Sequence, residues 1–293
     1  MAIQPVDETE DEERNTTFVS ITGVSNKEFY VLANLSPTID DPDSIESAIV
    51  ELSQEPDFDG EILYDAPIWM TSMDQAEGGN LFAVSMDGEL HYRRNGNWGV
   101  QDLKCPDGLL SVWAAGDNEI FAVGNGGAML RASGQSVAVS RDAKERTMRG
   151  VHGTSVQNVW AVGDKGVIFK YDGRNWTEVN SPTNYNLFVV LCVSEDEIYV
   201  AGSHGMLFRY TEGDWEHIPA DDLSITGLSL YKKTLYLACG QSGVWFVGSD
   251  GIEESTSHIL RRLRTIKSRL FAVGGNQIYR YNGKDWRGGD LDL

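Results

Sequence analysis

No apolar run in the 293 residues approaches the roughly twenty that a helix needs to cross a bilayer. Cysteine is scarce. Cys105, Cys192 and Cys239 are far apart, odd in number and form no CxxC pair, which argues against a disulfide framework and for a reducing compartment. Basic residues are outnumbered, 24 Lys and Arg against 44 Asp and Glu, for a formal net charge of −20. That field disfavours nucleic acid and anionic membrane surfaces as partners and speeds the approach of a basic protein, although it also serves plain solubility. Only 8 prolines occur and none builds a Pro-Gly linker, so no domain boundary interrupts the chain.

Signatures of chemistry are also missing. There is no GxSxG elbow, Walker loop or Rossmann fingerprint. His91, His152, His204, His217 and His258 never fall at HxH or HxxxH spacing, so no metal signature arises. Asp40, Asp41 and Asp43 lack the glycine and distal glutamate of an EF-hand loop. Gly124-Asn125-Gly126-Gly127 is glycine-rich but joins two apolar segments and opens no helix that would cradle phosphate. The expectation is a non-enzyme with no catalytic residue, metal or cofactor. Residues 1–15 read as an acidic N-terminal tail without the basic start and apolar stretch of a signal peptide, which points to the cytoplasm.

What the chain does contain is a repeat. One pattern (aliphatic, aromatic, small or aliphatic, aliphatic, small) recurs seven times, as FYVLA from Phe29, LFAVS from Leu81, IFAVG from Ile120, VWAVG from Val159, IYVAG from Ile198, LYLAC from Leu235 and LFAVG from Leu270. Ser85, Gly124, Gly163 and Gly202 follow one another at 39 residues, Gly240 comes 38 later and Gly274 another 34. A period near 40 with short strands throughout is the signature of propeller blades. The wholly apolar centre of each copy suits a strand packed on both faces. Four tryptophans, Trp98, Trp176, Trp215 and Trp286, follow outer glycine turns; recurrence at one position favours a seal between blades over a sugar platform. Residues 16–293 are therefore expected to form one all-β domain, a closed β-propeller of seven four-stranded blades. Ile3–Val6 is a weak candidate for a strand that helps close the ring.

The segment VWAVGDKGVIFKYDGRNWTEV, Val159 to Val179, resembles bacterial β-propeller repeat proteins of the Ycf48-like and sialidase-like group, over roughly residues 70 to 290. The resemblance implies a propeller scaffold or binding protein, with some enzymes among the relatives. The sialidase Asp-box, S-x-D-x-G-x-x-W, is absent, which speaks against a glycosidase.

Propeller ligands usually meet the face that carries the inter-blade loops and the loops between second and third strands. That geometry gives the candidates for partner binding. Asp40, Asp41 and Asp43 fall in a long first-copy loop beginning after Asn34. Counting back from the repeat glycines places Trp113 and His152 at one inner-strand position and Arg149 and Phe188 at another. Tyr185 and His204 belong to loops of the same face. A basic run, Arg261, Arg262, Arg264, Lys267 and Arg269, reads as alternation along a solvated strand. The leading function is recognition of another protein, with an acidic immunity-type inhibitor of a basic bacterial toxin as its specific form. A glycan-binding propeller and a propeller glycosidase or lyase are the alternatives.

Overall fold

A computed structural model describes residues 15–25, 28–36, 45–53, 58–291 and 293. Its 28 strands form seven four-stranded antiparallel sheets, each from four consecutive strands running from the inside outward. The blades span 15–66, 70–102, 109–141, 148–178, 187–217, 227–256 and 262–290. The protein is a seven-bladed β-propeller.

The recurring pentapeptides are the second strands. All five residues of Val159–Gly163 are buried, and the other copies are equally enclosed. Alternate side chains enter the interfaces on either side of the blade. Phe121 and Val123 pack with Met148, Val151 and Ala161 between blades 3 and 4, whereas Trp160 and Val162 pack with Leu187 and Val190 between blades 4 and 5. The fifth position is small because the incoming loop crosses it closely. A Cβ on Gly163 would lie 2.1 Å from the Thr147 carbonyl oxygen, and one on Gly202 would lie 1.9 Å from that of Asn186.

The ring closes without exchange of strands among the described residues. The inner strand of blade 1, Asn15–Thr22, meets blade 7 directly. Phe18 N–H donates to the Gly275 carbonyl at 2.7 Å, and the rings of Phe29 and Phe271 lie 4.6 Å apart inside a shared core. Ile3–Val6, Asp40, Asp41 and Asp43, and most of the 1–15 tail lie outside the described residues. Leu35 and Ser36 complete the second strand of blade 1, Phe29–Ser36, instead of opening a loop, because all four strands of this blade run to eight residues.

The outer tryptophans seal neighbouring blades. Trp98 stacks on Tyr64 of blade 1 at 4.4 Å. The Trp215 indole N–H donates to the Asn180 carbonyl at 3.0 Å, and that of Trp286 donates to Ser255 Oγ at 3.0 Å. The solvent that the basic run meets is partly that of the axial channel, since Arg262 and Arg264 both line it. Arg262–Ile266 is the innermost strand of blade 7 and lines the axial channel, because the register pairs it with the buried strand Arg269–Gly274.

Candidate functional site: the channel mouth and loop face

Seven inner strands surround the axis, and each leaves one edge without a neighbouring strand. Their backbone groups need partners from elsewhere. A repeated clamp supplies several of them. Ser20 Oγ accepts the Met73 N–H at 3.3 Å and Thr22 Oγ accepts that of Gln75 at 3.1 Å. Ser72 accepts from Val112, Ser111 from Val151 and Ser229 from Thr265. In each case a side chain of one blade satisfies the inner strand of the next.

The residues opposite the second-strand aromatic make one ring around the channel: Thr22, Asp74, Trp113, His152, Leu191, Ser229 and Arg264. Its two sides differ chemically. Asp74 Oδ1 accepts from Arg264 Nη2 at 2.9 Å and from Thr22 at 3.2 Å, while Oδ2 accepts the Ala114 N–H at 2.9 Å. On the next two blades, Trp113 lies 5.7 Å from His152, ring centre to ring centre. Trp113 also covers Gly153, where an added Cβ would lie 2.7 Å from the indole. His152 Nδ1 accepts the Cys192 N–H at 3.1 Å. Burial, with the Arg264 charge acting in the same direction, lowers the His152 pKa to about 4, so the ring is neutral at pH 7.

Toward the loop face the channel opens into a cavity of about 450 Å³. Trp113, Arg149, His152 and Phe188 all line it. Arg149 pairs side-on with Asp164, at 2.5 Å and 3.2 Å, and its guanidinium lies 5.7 Å from the Phe188 ring centre. Tyr185 and His204 come together outside the cavity, on the face itself, with rings 4.7 Å apart. The two loop classes touch there: Gly205 N–H donates to the Leu223 carbonyl at 2.8 Å.

Sequence reasoning missed four participants. Asp74 and Arg264 occupy the same ring position as Trp113 and His152, and carrying the strand register through every copy would have found them. Trp69 and Ile259, 43% and 49% exposed, stand in inter-blade loops on the same face as Tyr185, 46% exposed. Trp69 directly precedes an inner strand, Met70–Gln75, and that placement was its available signal. The exposed charges of this face are mixed. Among the described residues, Lys104, Lys144, Lys165 and Arg261 stand among Asp87, Asp107, Glu145, Asp221 and Asp222. Among the described residues no three of His, Cys, Asp and Glu converge as a metal site would require, and no helix is long and apolar enough to cross a membrane.

Solved structures share this architecture. YCF48 bound to D1 peptide superposes with a TM-score of 0.68 at 12% identity, covering 99% of this chain and 98% of that one. A streptogramin B lyase gives 0.70 at 13% identity over 90% and 88%. Sqt1 of Chaetomium thermophilum, bound to the N-terminus of ribosomal protein L10, gives 0.67 at 11% identity over 96% and 89%. At these identities the likeness carries the fold alone. No family model and no curated protein matches the sequence.

Proposed function

We propose that this propeller is a non-enzymatic binding module that takes a segment of a protein partner at the mouth of its channel. The observation that carries this reading is that Trp69, Tyr185 and Ile259, exposed large side chains on three separate inter-blade loops, stand around the face where a cavity of about 450 Å³ opens. Exposed aromatics around a concavity are the usual anchors of protein recognition. Two propellers of similar architecture are solved with peptide segments of other proteins, a D1 peptide and the N-terminus of L10. A lyase of similar architecture also exists. In this channel, however, the one lining carboxylate among the described residues, Asp74, is already engaged by Arg264, Thr22 and the Ala114 N–H. The other group that could move a proton there, His152, has its Nδ1 lone pair occupied by the Cys192 N–H and its pKa lowered to about 4, so neither group is poised as a general base near pH 7, which favours binding over turnover. The net charge of −20 supports a partner of basic overall character, steered from a distance; a basic toxin held by its inhibitor fits that description.

The test is comparative capture. Immobilised wild type, a Tyr185→Ala/His204→Ala variant and an outer-strand Val139→Ser variant are exposed to lysate at low and high salt, and retained proteins are identified by mass spectrometry. A specific partner should be kept by wild type and Val139→Ser, lost by the loop-face variant and weakened by salt. Equal retention by all three would sink the reading.

A further inference from the structure

Beside the ring of residues opposite the aromatics lies a second ring, one step nearer the loop face. It is made by the residues opposite the fourth position of each pentapeptide. Six of them are small: Ser20, Ser72, Ser111, Gly150, Val189 and Gly227. The seventh is Arg262. The small residues leave the space that becomes the cavity, and Arg262 is the long cationic side chain at this level.

The charges in and around the cavity do not cancel. Arg264 is matched by Asp74 and Arg149 by Asp164. Arg262 has no carboxylate partner among the described residues; its Nη1 donates instead to the backbone carbonyls of Thr226 at 3.0 Å and Arg261 at 3.2 Å. Those two bonds fix the plane of the guanidinium and use both Nη1 hydrogens. The Nε–Nη2 edge, the fork that receives a carboxylate through two parallel hydrogen bonds, is left over. The side chain is exposed to the water at the channel mouth; desolvation by the surrounding strands and the neighbouring Arg261 charge both lower its pKa, so a counter-charge there relieves a local excess of positive charge.

We propose that Arg262 is the anchor for a carboxylate of the bound polypeptide, which enters the cavity from the loop face and meets the Nε–Nη2 edge while its neighbouring side chain rests on Phe188 and Trp113. The inference rests on the binding reading given above. It adds that the segment presents an acidic group, even though the protein as a whole is acidic. Long-range steering by the net charge and short-range pairing in the channel act on different parts of the partner.

Two random heptapeptide arrays test this. One is tethered through the N-terminus, leaving free C-terminal carboxylates, and the other through the C-terminus, so that only Asp and Glu side chains supply a carboxylate. The full chain is applied as wild type, Arg262→Gln, Arg262→Lys and Tyr185→Ala, each first shown by urea unfolding to keep its fold. The expected result is enrichment of Asp- or Glu-bearing peptides, or of free C-termini, with binding at least about tenfold weaker for Arg262→Gln and partly kept by Arg262→Lys. The array that responds identifies the source of the carboxylate. Peptides that ignore Arg262→Gln but are lost on Tyr185→Ala would overturn the anchor and leave the binding reading standing. Selection that no variant alters, or no selection at all, would overturn both.

Discussion

Arg264 of the seventh blade donates to Asp74 of the second at 2.9 Å, reaching over the first blade between residues 190 apart in sequence. Asp74 is 4% exposed and Arg264 has water on one side. The pair ties blade 7 to blade 2 and so brackets blade 1 on both sides, beside the contact of blades 7 and 1, where no strand is exchanged among the described residues. Asp74→Ala removes the carboxylate from Arg264, Thr22 and Ala114 at once, and a loss of about 2–4 kcal/mol is expected in urea unfolding. Arg264→Met should cost less, because Asp74 keeps two donors. A double-mutant cycle with a coupling near zero would show that the pair does not hold the closure.

His152 gives a pH dependence of definite sign. Its folded pKa, about 4, lies below the unfolded value of 6.5. Above pH 6.5 both states are neutral and the group contributes nothing. As pH falls from 6.5 to 4 the unfolded chain takes up the proton first, so stability declines, by at most about 1.4 kcal/mol per pH unit and by less where channel water screens the charge. His152→Asn keeps an acceptor for the Cys192 N–H and should flatten this part of the curve. An unchanged slope would mean that the imidazole is protonated in the folded channel.

A lower window belongs to Asp142, in the loop between blades 3 and 4. Its carboxylate accepts from Arg146 Nε at 2.7 Å and Nη2 at 3.1 Å, and from the N–H groups of Lys144 and Arg146. The Arg146 side chain is the main reason its pKa falls to about 2. The folded value is depressed, so the stabilisation is present above the unfolded pKa of 3.8 and is lost as pH drops toward 2. Asp142→Asn should cost roughly 1–3 kcal/mol at pH 7 and nearly nothing at pH 2, by chemical denaturation.

Two glycines of positive φ should respond unequally to alanine. Gly205 has φ +66, and a Cβ there would stand 1.6 Å from the Asp221 carbonyl oxygen. Gly213 has φ +99 with nothing within 4 Å. Gly205→Ala is expected to lower stability by more than about 2 kcal/mol and to disturb the loop carrying His204. Gly213→Ala should cost about 1 kcal/mol of backbone strain alone. Thermal unfolding of the two variants side by side decides it.

Most of the architecture is legible in the sequence. The pentapeptide, recurring at 39 or 38 residues through the middle of the chain, marks the second strand of every blade, because a strand buried on both faces tolerates nothing polar at its centre and its end must be small where the incoming loop crosses. The tryptophans after glycine turns mark the outer strands for a similar reason: one geometry, repeated, selects one residue type. Trp113, Arg149, His152 and Phe188 could be placed on inner strands by counting alone.

The chemistry of the channel could not be read that way. Composition around a ring is decided by residues that share a height and not a neighbourhood in sequence, so the pairing of Asp74 with Arg264 and the unmatched charge of Arg262 appear only once the blades are stacked. The run from Arg261 to Arg269 looked like a solvated face because alternation identifies the two sides of a strand without saying what each side meets. The repeat by itself determined that seven blades form. The tertiary structure decided which side chains converge on the axis, since closing the ring brings the first and last blades into contact and gives the inward side a common centre.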